Sequence, residues 1–337
     1  MPATRRQDRS PDPPTQLFNS GFRASWWCRN PHLQTLWPYL FRIRPTLGYR
    51  RERLELDDGD FLDLDWVDEP DRDAPIVLII HGLCGDSSSH YVRGLASSLK
   101  AAGLRTAVLH HRGCSGESNR LLRSYHGGDY RDIDLVLRTL QSREPSTPLF
   151  AAGFSIGGSM LLNWLSRNSG LLTAACTVST PLDLAEGALR MEKGLSRIYQ
   201  TYLVSEMKRR VKRKSERVRL PVDLAKLEHV RTFHEFDGLV TAPLHGFRDA
   251  DDYYSRCSSK QRLQYIETRT LVIHAADDPL TTARAIPTAN ELPGNGSVIF
   301  ELSRQGGHCG FVSGTWPHRP KYWTDRRITD FFTSFLL

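Results

Sequence analysis

An α/β fold with a mostly parallel central sheet is the architecture this sequence predicts, and three observations predict it. Continuous apolar runs such as Ile76-Val77-Leu78-Ile79-Ile80 recur along the chain, the pattern of strands buried on both faces. Stretches with helical character separate these runs, and such alternation places helices on both faces of a parallel sheet. Side chains capable of chemistry stand just beyond several of the runs, where open α/β sheets bind their ligands.

The elements follow in order. Residues 1–17 are rich in Pro, Arg and Asp and lack the apolar middle of a signal peptide. They are expected to form a disordered lead to a domain spanning 18–337. The arm 18–45 carries Trp26, Trp27 and Trp37, enough aromatic bulk to pack onto a core. Two alternating runs within 51–66 flank Asp57-Asp58-Gly59-Asp60, a hairpin signal that belongs at a sheet edge. Strands are then expected at 76–80, 105–110, the run into Ser155, 174–179, 270–274 and 297–302. Helices are expected near 91–102, 130–141, 158–167, 282–291 and 324–335. Between about 183 and 262 the alternation stops and the chain turns helical, basic and aromatic. That stretch is too long for a simple connection and reads as a helical cap insertion over the C-terminal strand ends.

Composition narrows the class. The chain has 337 residues, 39% hydrophobic and 25% charged, the balance of a globular protein. Its apolar runs are far shorter than the roughly 20 residues a spanning helix needs, so a cytoplasmic location is expected. Cys28, Cys84, Cys114, Cys176, Cys257 and Cys309 show no C-x-x-C pairing and read as thiols in a reducing compartment. Zincin and P-loop motifs are absent, so no cofactor or metal is expected. Much of the +7 net charge sits in the run from Lys208 to Lys214, continued by Arg217 and Arg219. It reads first as a solvated helix face, with peripheral contact to an anionic membrane through 208–219 as the functional alternative. No aromatics interleave with it, so no nucleic acid is expected.

The chemistry centres on Gly153-Phe154-Ser155-Ile156-Gly157, directly after an apolar run. A serine hydroxyl becomes a nucleophile when a sharp turn holds it beside a base and near backbone N–H donors. His81-Gly82-Leu83-Cys84-Gly85 follows the 76–80 run, and Leu83 N–H with Ile156 N–H would form an oxyanion hole. Asp277-Asp278 follows the 270–274 run, where a carboxylate can orient an imidazole. The acid in such sheets stands just before the turn, which favours Asp278; Asp277 would then cap the following helix. Gly306-Gly307-His308-Cys309-Gly310 follows the last strand, giving the order Ser155, Asp278, His308. His81 and Asp86 also spell H-x4-D, and the His110–Gly116 loop could line a pocket.

These motifs resemble one family. Arg29-Asn30-Pro31-His32-Leu33-Gln34-Thr35-Leu36, the His81, Arg112-Gly113-Cys114-Ser115-Gly116 and Ser155 loops, Gly306–Phe311, Phe236-Asp237 and Tyr253-Tyr254 are similar to the YheT-like branch of the α/β-hydrolase superfamily. That branch includes the abhydrolase-domain lipases of animals. The resemblance covers the chain from about Phe22 and implies an α/β-hydrolase fold. It also implies a Ser-Asp-His charge relay with Ser155 as nucleophile and His308 as base, the acid falling in the Asp277-Asp278 pair. The N-terminal anchor of the animal relatives is not expected here. The expected activity is hydrolysis of carboxylic acyl esters through an acyl-enzyme, on a small acyl-ester or lipid substrate. An acyltransferase or thioesterase acting on acyl-CoA or phospholipid, and a non-catalytic binding protein on the same fold, are the alternatives.

Overall fold

A computed structural model describes residues 17–67 and 73–336; most of the lead, residues 1–16, lies outside them. The N-terminal half contains β1 (Leu17–Asn19), α1 (Pro31–Phe41), β2 (Tyr49–Glu55), β3 (Phe61–Val67), β4 (Ile76–Ile80), α2 (His90–Ala101), β5 (Arg105–Leu109) and α3 (Arg131–Arg143). Next come β6 (Leu149–Phe154), α4 (Ile156–Leu165), β7 (Ala174–Val178), α5 (Leu184–Met191) and α6 (Ser196–Ser215). The short helices α7 (Leu224–His229), α8 (Phe233–Phe236), α9 (Ala242–His245) and α10 (Ala250–Cys257) follow. The chain closes with β8 (Thr270–Ala275), β9 (Val298–Ser303), the small pair β10 (Val312–Ser313) and β11 (Lys321–Tyr322), and α11 (Trp323–Thr333).

Among the described residues nine strands form one sheet in the order β1-β9-β8-β7-β6-β4-β5-β3-β2. All neighbours from β1 to β5 are parallel, and the β2–β3 hairpin adds the antiparallel edge. The fold class and the edge hairpin are therefore as the sequence predicts. Strand β4 shows why its run is unbroken: Ile76, Leu78 and Ile80 enter one core while Val77 and Ile79 enter the other. Ile133, Val136, Leu137 and Leu140 of α3 cover the first face with α4, an i, i+3, i+4, i+7 stripe. Helices α2 and α11 cover the second with Val92, Leu95, Leu99, Ile328 and Phe332.

Two expectations are corrected. The helix at 282–291 is instead two 3₁₀ turns, Ala283–Ala285 and Ala289–Glu291. Pro287 separates them: it has no N–H to donate, and its ring would strike the carbonyl four residues back. A capping box between Thr288 and Glu291 then starts the second turn. Residue 17, placed in the lead, belongs to β1, which pairs with β9 at the sheet edge. Among the described residues, no helix is long and apolar enough to cross a membrane.

Candidate active site

Chain reversal at β4 puts β5 on one side and β6 on the other, so the loops after β4 and β6 meet at a topological switch point. Ser155 sits between β6 and α4 at φ 50°, ψ −123°, a conformation that costs a non-glycine residue about 1–3 kcal/mol. The surroundings hold it there. A Cβ on Gly157 would come within 2.5 Å of Ile80 O, and one on Gly153 within 2.7 Å of Gly158 Cα. The glycines let strand, turn and helix approach this closely. Ser155 N–H donates to Val178 O of the neighbouring strand at 2.9 Å.

The loops after β8 and β9 bring the other two groups. His308 Nδ1 lies 2.9 Å from Asp278 Oδ2, and His308 Nε2 lies 2.9 Å from Ser155 Oγ. An ionised carboxylate only accepts, so in the neutral imidazole the proton sits on Nδ1 and Nε2 is left to accept from the serine. The second carboxylate oxygen, Oδ1, accepts from Leu280 N–H at 2.8 Å, so Asp278 cannot turn away without losing two bonds. Burial alone would lower the His308 pKa, but the adjacent Asp278 carboxylate outweighs it and holds the imidazole well above its ordinary range.

Asp277 does not face the imidazole. Its Oδ1 accepts from Gly307 N–H at 3.0 Å, bracing the His308 loop. The helix it was expected to cap is the one Pro287 interrupts. Burial raises its pKa, against the Gly307 hydrogen bond.

Leu83 and Ile156 line the same cavity as Ser155 and His308. Among the described residues neither backbone N–H has a hydrogen-bond partner. Their loop is held by groups the sequence did not point to. Tyr91 Oη accepts from Gly82 N–H at 2.9 Å and Tyr125 Oη from Cys84 N–H at 3.0 Å. Arg210 of α6 donates to Cys84 O at 3.0 Å. Cys84 itself has φ 57°. Thr35 of α1 was also missed: its Oγ1 accepts from His308 N–H at 3.0 Å. The only sequence signal for Thr35 was its place in the Arg29–Leu36 motif.

His81 and Asp86 do not work together. His81 Nδ1 is 2.8 Å from Gly82 O and its Nε2 accepts from His111 N–H, while Asp86 accepts from Ser88. His110 meets Asp65 at 2.8 Å. From that loop Arg112 and Gly113 reach the cavity wall. Among the described residues no group of three or more His, Cys, Asp or Glu is placed to hold a metal.

The wall opposite Ser155 comes from the segment between β7 and β8. Met191, Leu203, Met207, Phe233, Phe236 and Val240 make it largely apolar. Asp237 stands among them on a π-helical turn, accepting from Thr241 and Tyr254 hydroxyls. Burial pushes its carboxyl up to about 6 against those two bonds. The basic run of α6 makes contacts within the chain, although Arg209, Lys212 and Arg213 stay exposed. Lys208 donates to Glu228 O, Arg210 to Cys84 O and Gly113 O, and Lys214 to Arg123 O. Lys212 pairs with Glu228.

This arrangement, a strained serine after a central strand and an Asp–His pair on later loops, defines a class of α/β fold. The sequence matches the alpha/beta hydrolase fold family over residues 75–315. It is 42% identical to YheT of Escherichia coli, across 91% of each chain. It is 31% identical to the mouse protein named Phospholipase ABHD3, across 92% of this chain and 77% of that one. Among solved structures, the Pyrococcus furiosus esterase Pf2001 aligns with TM-score 0.55 at 16% identity, covering 95% of this chain and 98% of the other. The chain belongs to the α/β-hydrolase family, in the company of YheT.

Proposed function

We propose that this protein is a serine hydrolase of carboxylic acyl esters. The observation that carries the reading is the hydrogen-bonded line Asp278–His308–Ser155, each link 2.9 Å, ending at an apolar cavity. His308 Nε2 takes the Ser155 proton as Oγ attacks the acyl carbon. The carbonyl oxygen becomes an oxyanion held by Leu83 N–H and Ile156 N–H. The carbon–oxygen bond to the alcohol then breaks, and the alcohol leaves with the proton from His308. Water, deprotonated by His308, attacks the acyl-enzyme and returns free acid and free serine. The apolar wall suits an acyl chain, and a relative named a phospholipase supports lipid esters as the substrate class.

Ser155→Ala should lower kcat/KM on p-nitrophenyl esters by about 10⁴-fold or more, with the fold intact by circular dichroism. A variant as active as the parent would remove Ser155 from the reaction.

A further inference from the structure

Scattered apolar side chains on a surface are ordinary, but a concentration of them is not. Nine of the seventeen exposed large apolar side chains among the described residues fall in two short segments, 33–43 and 195–202. On α1, Leu33, Leu36 and Leu40 recur at i, i+3 and i+7, a single helix face, and Ile43 follows at 91% exposure. At the start of α6, Leu195, Ile198 and Tyr202 repeat the same spacing. The two stripes adjoin. Tyr39 and Tyr202 bring their hydroxyls to 3.4 Å, and His32 Nδ1 lies 3.0 Å from Tyr199 Oη. Helix α1 itself carries no acidic residue and no Lys or Arg.

The rim of this face is cationic. Arg44, Lys193 and Arg197 are exposed, and none forms an ion pair among the described residues; Glu192 is the acid in the same stretch. An apolar face with a cationic border is the chemistry of a helix lying in the interface of an anionic bilayer. The face also adjoins the candidate site. Thr35 of α1 holds His308 N–H, and Ser196 of α6 donates to Pro279 O at 2.6 Å, one residue past Asp278.

We propose that the outer face of α1 and the first two turns of α6 form a docking surface for an anionic lipid bilayer. Leu40, Ile43 and Ile198 enter the acyl boundary while Arg44 and Arg197 meet the headgroups. Docking there brings lipid to the loops that carry Asp278 and His308.

The test is flotation of the full chain with phosphatidylcholine vesicles, with and without a minority of phosphatidylglycerol. The parent should float with the anionic vesicles and more weakly with the neutral ones. Leu40→Glu with Ile43→Glu should reduce binding about tenfold or more. Arg44→Glu with Arg197→Glu should abolish the preference for anionic vesicles. Leu224→Glu, an exposed apolar position on α7, should change neither, and all variants should keep parental thermal melting. Hydrolysis of a short soluble ester should be unaffected, and the binding readout does not depend on it. A parent that fails to float, or paired variants that float like the parent, would overturn the proposal. So would a concentration-dependent dimer that Leu40→Glu with Ile43→Glu dissolves, since the face would then belong to a second copy.

Discussion

At the Ser155 turn itself backbone geometry does the positioning, whereas on the opposite wall of the cavity side-chain packing does. Gly153, Gly157 and Gly158 let strand, turn and helix approach where any Cβ would collide. Positive φ at Ser155, Cys84 and Cys309 falls on the three loops that converge there. The wall from Leu184 to Cys257 rests on two small side-chain cores, against which Leu83, Cys84 and Ile156 of the floor pack. One joins Val204, Met207 and Val211 to Leu227 and Phe236, and the other joins Leu184 and Ala188 to Tyr253 and Cys257. A backbone-built floor tolerates almost no substitution without losing its geometry. A side-chain wall can change shape one residue at a time while the floor keeps its chemistry. Under the proposed function, reaction type would belong to the floor and substrate choice to the wall.

The sharpest break between the regions lies within the floor, at two adjacent aspartates. Asp278→Asn should cut kcat by about 10³–10⁴-fold, because an amide at that position favours the wrong His308 tautomer. Asp277→Asn should cost less than about tenfold, since an amide oxygen can still accept from Gly307 N–H. The pH profile separates a role in the charge relay from a purely structural one. The proposed reaction needs neutral His308, so kcat/KM should rise with pH through the pKa of that imidazole. Asp278 raises that pKa, so the acid limb should sit above the ordinary histidine value of about 6.5. In Asp278→Asn the limb should move to lower pH, and in Asp277→Asn it should stay. Equal rate losses in the two variants would erase the distinction. The wall should respond more mildly. Met207→Ala enlarges the cavity and leaves every floor residue in place, and should change kcat/KM for long acyl esters by about 10-fold. The shortest esters should be unaffected, and a uniform loss across chain lengths would merge the two regions.

Legibility in the sequence followed the same division. Floor positions announce themselves locally. A five-residue apolar run marks a strand buried on two faces, and the glycines around Ser155 and His308 mark loops that must pass close to other backbone. The order of Ser155, the aspartate pair and His308 follows from placing each after its strand. What stayed hidden are contacts between residues far apart in the chain. Tyr125, Arg210 and Thr35 brace the loops after β4 and β9 across separations of 41, 126 and 273 residues, and no spacing or periodicity records such pairings. Strand β1 is three residues long, too short for any period to show. At 282–291 the alternation of strands and helices suggested a helix, although Pro287 was there to interrupt it. The basic run was legible in one respect and hidden in another. Its charge was visible, but its consumption by carbonyls of Glu228, Cys84 and Arg123 was not.

The central claim is that the floor activates one serine, and a fluorophosphonate probe tests it most directly. On the parent protein the account predicts one modified peptide, carrying Ser155, with esterase activity lost in proportion to labelling. His308→Ala should slow that labelling at least a hundredfold with the fold preserved. Labelling at another residue, or full labelling of Ser155 with activity retained, would contradict it.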